Sequence, residues 1–407
     1  FVAKKSMKLK FNQFAIMTLM CIAFISCKKK EDNPTPQNNS INSGAIILSC
    51  DISSNTKLTN HNPFGVDYII NCPVVVTSGE FTIDNDVTIQ ITPQGSLKIK
   101  DDAYISAVGL QNKPITFEGV TSNSGSWSNI SIETNDPRNI MDYCVLKNGG
   151  STVNDYVRVG GFSYNSKAML YVLGKLVLTN SSFTNSGGQG VWFASESEAV
   201  NLESNSFKNN KSFPLVIYAG NMANCDFASC SFTNNVKNNI GIYGITSNSE
   251  IAEAVIIKKA PVFYFVMSDL NFLNDTEFNA GTHFVMSEAS LIRIYYDGSL
   301  KIKGTSSEPV TIEGESNIAG FWSGLHIKSN NVKNKFTYLN ISDGGNQPTT
   351  VSSVTANISV ADIAHPGYLE ISNVNSTNFA GCALAVDDTQ TTLVNNSSIT
   401  IPEACTY

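Results

Sequence analysis

The chain predicts an all-β solenoid made of two related halves, and three observations carry that reading. Long segments recur between the halves, apolar pairs recur about every 24 residues within them, and an asparagine returns at one fixed place in each repeat. The long repeat is the plainest. Gly95–Lys100 (GSLKIK) returns as Gly298–Lys303, Pro114–Gly119 (PITFEG) as Pro309–Gly314 (PVTIEG), and Gly125–Ile132 (GSWSNISI) as Gly320–Ile327 (GFWSGLHI). Tyr143 with Gly149 and Gly150 matches Tyr338 with Gly344 and Gly345. The offset reads as 203 residues before an insertion near Asp101 and as 195 after it.

The short period is clearest around Phe183, Phe207 and Phe232, spaced by 24 and 25 residues. Each has apolar or cysteine partners seven and five residues before it (Leu176 and Leu178; Val200 and Leu202; Cys225 and Phe227). Each also has partners eight and ten residues after it (Val191 and Phe193; Leu215 and Ile217; Ile240 and Ile242). Residues two apart on a strand share a face, so each pair buries one side of a short strand. Near the end, Leu369, Ile371, Leu384 and Val386 keep the steps around Ser376. Three short strands per coil, separated by turns, are the outcome.

Two residues after each phenylalanine stands Asn185, Asn209 or Asn234; Asn378 holds the place in the last coil, and Asn148 and Asp343 hold it after Leu146 and Ile341. Asparagine tolerates the left-handed backbone of a turn. Stacked at the same turn of successive coils, these residues would form a ladder of amide hydrogen bonds. A β-sandwich, the rival for short strands with Asn and Gly turns, has no reason to repeat a coil of fixed length. The pattern resembles the right-handed parallel β-helix, and GSLKIKG with EPVTIEG and GFWSGLHI resembles β-helix lipoproteins of Bacteroidota over most of residues 60 to 400. At about 24 residues per coil the stack would hold about 14 coils and measure about 70 Å. The seam between the halves falls at 245–260, where Thr246–Glu250 interrupts the pattern.

The N-terminal residues read as an address. Lys4, Lys5, Lys8 and Lys10 precede the apolar run Phe14–Ser26, which is short for a permanent membrane span, and Met7 reads as the natural start. Cys27 follows at once, with Lys28–Asn33 behind it, an order that resembles a lipoprotein signal. The resemblance implies cleavage before Cys27, a lipid on its sulfur, and anchorage in the outer membrane. Lys30-Glu31-Asp32 resembles the signal for display on the cell surface. The expected organisation is a signal peptide at 1–26, the lipidated cysteine and a flexible tether at 27–44, one β-helix half at 45–250 and the other at 251–407. Without the signal the net charge is near −11, four below the −7 of the whole chain.

Composition narrows the function. Charged residues make up 15% of the chain, and three arginines (Arg138, Arg158, Arg293) form no basic stripe, so nucleic acid is not an expected partner. Four scattered histidines and no Cys-x-x-Cys give no zinc site, and no cofactor is expected. Cys144, Cys225 and Cys230 read as small core residues, whereas Cys50, Cys72, Cys382 and Cys405 lie near the two ends, where disulfides would staple the caps. Trp127 and Trp322 recur beside glycine and read as packing.

For a site, Trp192 is expected to point outward between two inward residues, with Tyr218 and Tyr243 just past the inward pair on the next two coils. The three would line an exposed edge able to stack sugar rings, making a polysaccharide the expected ligand. A lyase or hydrolase on the same scaffold is the rival. Its candidates are Asp136, Arg138 and Asp142 in one loop, Asp101 and Asp102 in the insertion, and the turn-like pair Asp387 and Asp388. A structural or adhesive stalk is the remaining alternative.

Overall fold

In a computed structural model of the protein the described residues are 44–407, apart from 155, 160–161, 195–196, 245–249, 349–353, 363, 401, 403–404 and 407. The signal peptide, Cys27 and nearly all of the tether lie outside them. The chain winds as a parallel β-helix with three faces, A, B and C, visited in that order. Face A stacks the strands Tyr68–Ile70, Thr88–Ile91, Ile115–Gly119, Cys144–Lys147, Ser182–Thr184, Ser206–Lys208 and Ser231–Thr233, every neighbouring pair parallel. The register is the predicted one: Phe183 sits over Phe207 and Phe207 over Phe232. Their rings stack with centroids 5.4 and 5.3 Å apart and planes 16° and 3° from parallel.

Face B settles how the halves are joined. Its ladder passes from Ile130–Ile132 through Leu170–Val172, Val191–Phe193, Leu215–Tyr218 and Ile240–Tyr243 to Tyr264–Val266, His283–Met286 and Val310–Gly314. The stack is therefore continuous across the expected seam. The seam is visible on the other two faces: among the described residues no strand pair joins Ser231–Thr233 to Val255–Ile257 on face A. On face C single bridges, Leu202 with Cys225 and Ile251 with Phe272, replace ladders. One apolar core runs from Leu48 to Val386. Each inward leucine, isoleucine or phenylalanine removed from water stabilises the stack by about 1.5–3 kcal/mol before conformational entropy is counted.

The internal repeat holds its strand register at one offset throughout. Leu97 pairs with Ile130 and Ile99 with Ile132; 195 residues on, Ile292 pairs with Leu325 and Ile294 with Ile327. Ala107 opposite Met141 becomes Ile302 opposite Phe336, and Ile115 opposite Cys144 becomes Val310 opposite Leu339. The insertion expected near Asp101 is thus absent: the counterpart of Ser96–Lys100 is Leu291–Tyr295, and the resemblance of GSLKIK to residues 298–303 joins strands that are not equivalent. Asp101 and its counterpart Tyr296 both take left-handed angles, φ 57° and 53°. The second copy is also displaced by one face. Strands of face A in the first copy have counterparts on face B, those of B on C, and those of C on A. Equivalent surfaces of the two copies therefore face different directions.

Side-chain clasps repeat with the strands. Asn139 accepts from the Ile105 amide at 2.9 Å and donates to the Thr134 carbonyl at 3.1 Å; Asn334 does the same with Leu300 and Ser329 at 2.8 and 3.1 Å. Trp127 and Trp322 are fully buried and donate to the carbonyls of Lys147 and Ser342 at 2.8 and 2.6 Å. Gly149 is required beside the first, because a Cβ there would lie 2.5 Å from the indole.

The asparagine turn divides its two expected roles between neighbours. Asn185, Asn209 and Asn234 do adopt left-handed angles, φ 61°, 57° and 55°. The buried amide ladder, however, is formed one residue later. Asn210 donates to Asn235 at 2.8 Å, while the Ser186 amide donates to Asn210 at 3.0 Å. The left-handed residues join side chains at Asn148 with Asn185 and at Asp343 with Asn378. Residue +2 turns the chain outward and residue +3 re-enters, so +3 carries the buried amide. Disulfides Cys50–Cys72 and Cys382–Cys405 staple the two ends, and Cys144, Cys225 and Cys230 are free and buried.

Candidate functional site

Trp192, Tyr218 and Tyr243 do come together, but not as an exposed edge. The Trp192 and Tyr243 rings lie 5.7 Å apart and those of Tyr218 and Tyr243 6.1 Å. All three are buried, at 0%, 4% and 3% exposure. Alternation assigns them correctly to the outward side of face B; it does not reveal that this side is itself packed. Trp192 stands in register with Tyr171 and Val216, then Gly241 and Phe265, and all of these are buried. The indole Nε1 donates to the Tyr243 hydroxyl at 3.4 Å, and that hydroxyl donates to the Phe193 carbonyl at 3.1 Å. Trp192 and Tyr243 therefore form a second apolar layer over the sheet, and neither is open to a ligand.

Tyr218 borders an open groove of about 540 Å³ at the corner between faces B and C. The 3₁₀ turn Ala219–Asn224, which follows Tyr218, forms one wall, and Lys175, Glu198 and Glu253 line others. Lys175 pairs with Glu198 at 2.6 Å, Asn221 donates to the Ser197 hydroxyl at 3.1 Å, and the Tyr218 hydroxyl reaches Glu253 at 3.5 Å. Gly220 permits that approach: a Cβ there would lie 2.3 Å from the tyrosine ring and 2.7 Å from the Glu253 carboxylate. Burial, then the charge of Glu253, pushes the Tyr218 hydroxyl far above the ordinary tyrosine range, so it stays protonated and serves as a donor. Asn135 and Asn224 add further amides. The lining thus alternates donors and acceptors over three coils.

The carboxylates proposed for catalysis serve local structure. Asp136 holds Arg138 through two bonds of 2.9 and 2.6 Å, and that hydrogen bonding holds its carboxyl below the usual carboxylate range. The guanidinium lies 3.8 Å from the centre of the Tyr104 ring. Asp142 instead accepts from Thr179 and Asn180 on face C at 2.7 and 2.8 Å. Asp101 pairs with Lys100, and Asp387 closes its own turn by accepting from the Thr389 amide and hydroxyl. Among the described residues no group of three potential metal ligands is gathered.

A second cluster is built from residues that sequence reasoning did not single out. On the outer side of face C in the second copy, Asn271, Arg293, His326 and Ser359 stand in one register row. In the next row Tyr295 stands opposite Lys328. Lys328 and Asp362 form a buried ion pair at 2.5 Å, their side chains 7% and 4% exposed, and Asp362 also binds His365 Nδ1 at 2.8 Å. Burial, aided by the charges of Arg293 and Lys328, lowers the His326 pKa to about 3, so this imidazole is neutral at pH 7.

Compared with protein-family models, with curated proteins and with solved structures, the chain finds no match.

Proposed function

We propose that the protein is a lipoprotein of the outer membrane, displayed at the cell surface through Cys27, whose β-helix binds a glycan of the cell envelope in the groove beside Tyr218. The observation that carries the reading is the lining of that groove. Ammonium, amide and hydroxyl donors alternate with two carboxylates along a corner about three coils deep. A polyhydroxylated chain presents donors and acceptors at a similar spacing, and buried polar groups reject ligands that leave them unpaired. The rigid stack holds the side chains in place before binding, which lowers the ordering cost of association.

The test is a glycan array followed by titration calorimetry of the best hit. Lys175→Ala and Glu253→Gln each remove a charged hydrogen-bonding group, worth about 1.5–3 kcal/mol, so each is expected to weaken binding about 10- to 100-fold. Affinity unchanged in both variants would refute the groove. The anchor is checked separately by the intact mass of the mature protein, which should show a lipidated Cys27 at its start.

A further inference from the structure

The repeat supplies an internal control for Arg293. Its counterpart 195 residues earlier, Lys98, is neutralised: the ammonium lies 2.7 Å from Glu133, which also accepts from Ser131 at 2.7 Å. In the second copy Arg293 replaces Lys98, His326 replaces Ser131, and Lys328 replaces Glu133. The acid that would pair with Arg293 has become a second cation, and that cation is bound to Asp362. Among the described residues no carboxylate forms an ion pair with Arg293. Its Nη1 makes one long bond, 3.4 Å to Asn271, and its Nε is buried without a partner. The nearby Asp269 forms no ion pair with it; burial pushes that carboxyl up, while the charge of Arg293 and a hydrogen bond from the Leu291 amide act to lower it.

Beside this guanidinium stands an aromatic stack. The Tyr295 ring centre lies 5.1 Å from the Arg293 guanidinium carbon, Tyr295 and Tyr296 stack at 5.5 Å, and His365 sets its edge against both rings. Tyr296 is 57% exposed and held in the left-handed corner, which turns it outward from the stack. An unpaired arginine offers two parallel N–H groups that match the oxygens of a carboxylate or sulfate. An exposed ring next to it offers a face for a pyranose.

We propose that Arg293, together with the Tyr295–Tyr296 stack, binds the oxyanion substituent of an acidic saccharide. The site lies on the outer side of face C in the second copy and shares no residue with the lining of the groove beside Tyr218. A carboxylate or sulfate would supply to Arg293 the negative charge that Glu133 supplies to Lys98 in the first copy, with the sugar ring against Tyr296.

The experiment titrates the intact protein with three oligosaccharides of equal length: a uronate, a sulfated and a neutral one. Binding of either acidic oligomer, at least tenfold weaker in Arg293→Gln and in Tyr296→Ala, supports the proposal and identifies the substituent. Lys98→Gln, the repeat-equivalent variant, should bind as wild type does. Tyr296 is on the surface, so its variant keeps the test informative if Arg293→Gln folds poorly. Neutral oligomers binding as tightly as acidic ones, no acidic oligomer binding at millimolar concentration, or equal affinity in both variants would each overturn it. Lys175→Ala and Glu253→Gln should leave this binding untouched, which separates the fate of this site from that of the groove.

Discussion

Asp362→Ala is expected to destabilise the protein by about 3–5 kcal/mol at pH 7, the range found when one partner of a buried ion pair is removed. The variant removes the carboxylate that pairs with the Lys328 ammonium, 7% exposed, on the outer side of face C. It also removes the acceptor for the amides of Ala364 and His365 at 2.9 and 3.0 Å. Burial alone would raise the Asp362 carboxyl, but hydrogen bonds from Lys328, His365 and the Ala364 amide outweigh it and hold it far below the usual carboxylate range.

A depressed carboxyl contributes stability that is complete above its unfolded value, about 3.9, and is lost as pH falls toward the folded value. His326 acts in the same direction higher up. Its folded pKa of about 3 lies below the unfolded value of about 6.5, so the unfolded chain takes a proton that the folded one refuses. Urea unfolding should show stability falling between pH 6.5 and 3, by about 1.4 kcal/mol per unit at most from this group. His326→Gln should flatten that slope. Wild-type stability that does not change over the window would contradict the burial of this imidazole.

Phe207→Ala should cost a comparable amount, about 3–5 kcal/mol. Phe207 is 1% exposed and is the middle ring of three, so its loss opens a cavity and leaves both Phe183 and Phe232 with one bare face. Solenoid coils are stabilised mainly through their neighbours, so weakening one coil uncouples the stack on either side. Phe232→Ala should cost less, since Phe232 is 9% exposed and ends its ladder on face A. Equal losses at the two positions, measured by chemical denaturation, would mean that the rings do not form one column.

The inward residues were legible because period and alternation are properties of the backbone. Leu176, Leu178, Phe183, Val191 and Phe193 all lie in the core as their spacing requires. Alternation also put Trp192 on the outer side, but the cover over that side comes from residues such as Tyr243 two coils away, which no local pattern encodes. The false insertion near Asp101 has a similar origin. A lysine-rich alternating strand such as SLKIK fits many positions, whereas strand register distinguishes them, and only one offset preserves every pairing. Of the groove, Tyr218 was identified, while Lys175, Glu198 and Glu253 were not, since they converge through the stacking of coils and the 3₁₀ turn. Arg293 carried a readable signal: once the copies are aligned at 195 residues, the change from Glu133 to Lys328 stands out as a reversal of charge.

Parallel coils in register underlie the fold and both sites, and paired nitroxide labels test that most directly. Lys208 and Thr233 are both exposed and face each other across one step of face A. Labels on this pair should show the strong dipolar broadening of spins on adjacent strands, whose backbones are about 4.8 Å apart. Labels at Thr184 and Lys208, one coil earlier, should behave alike. Spectra equal to the sum of the single labels at both pairs would mean that residues 24 and 25 apart in the sequence do not lie over one another, and the β-helix, its repeat and both proposed sites would fail together.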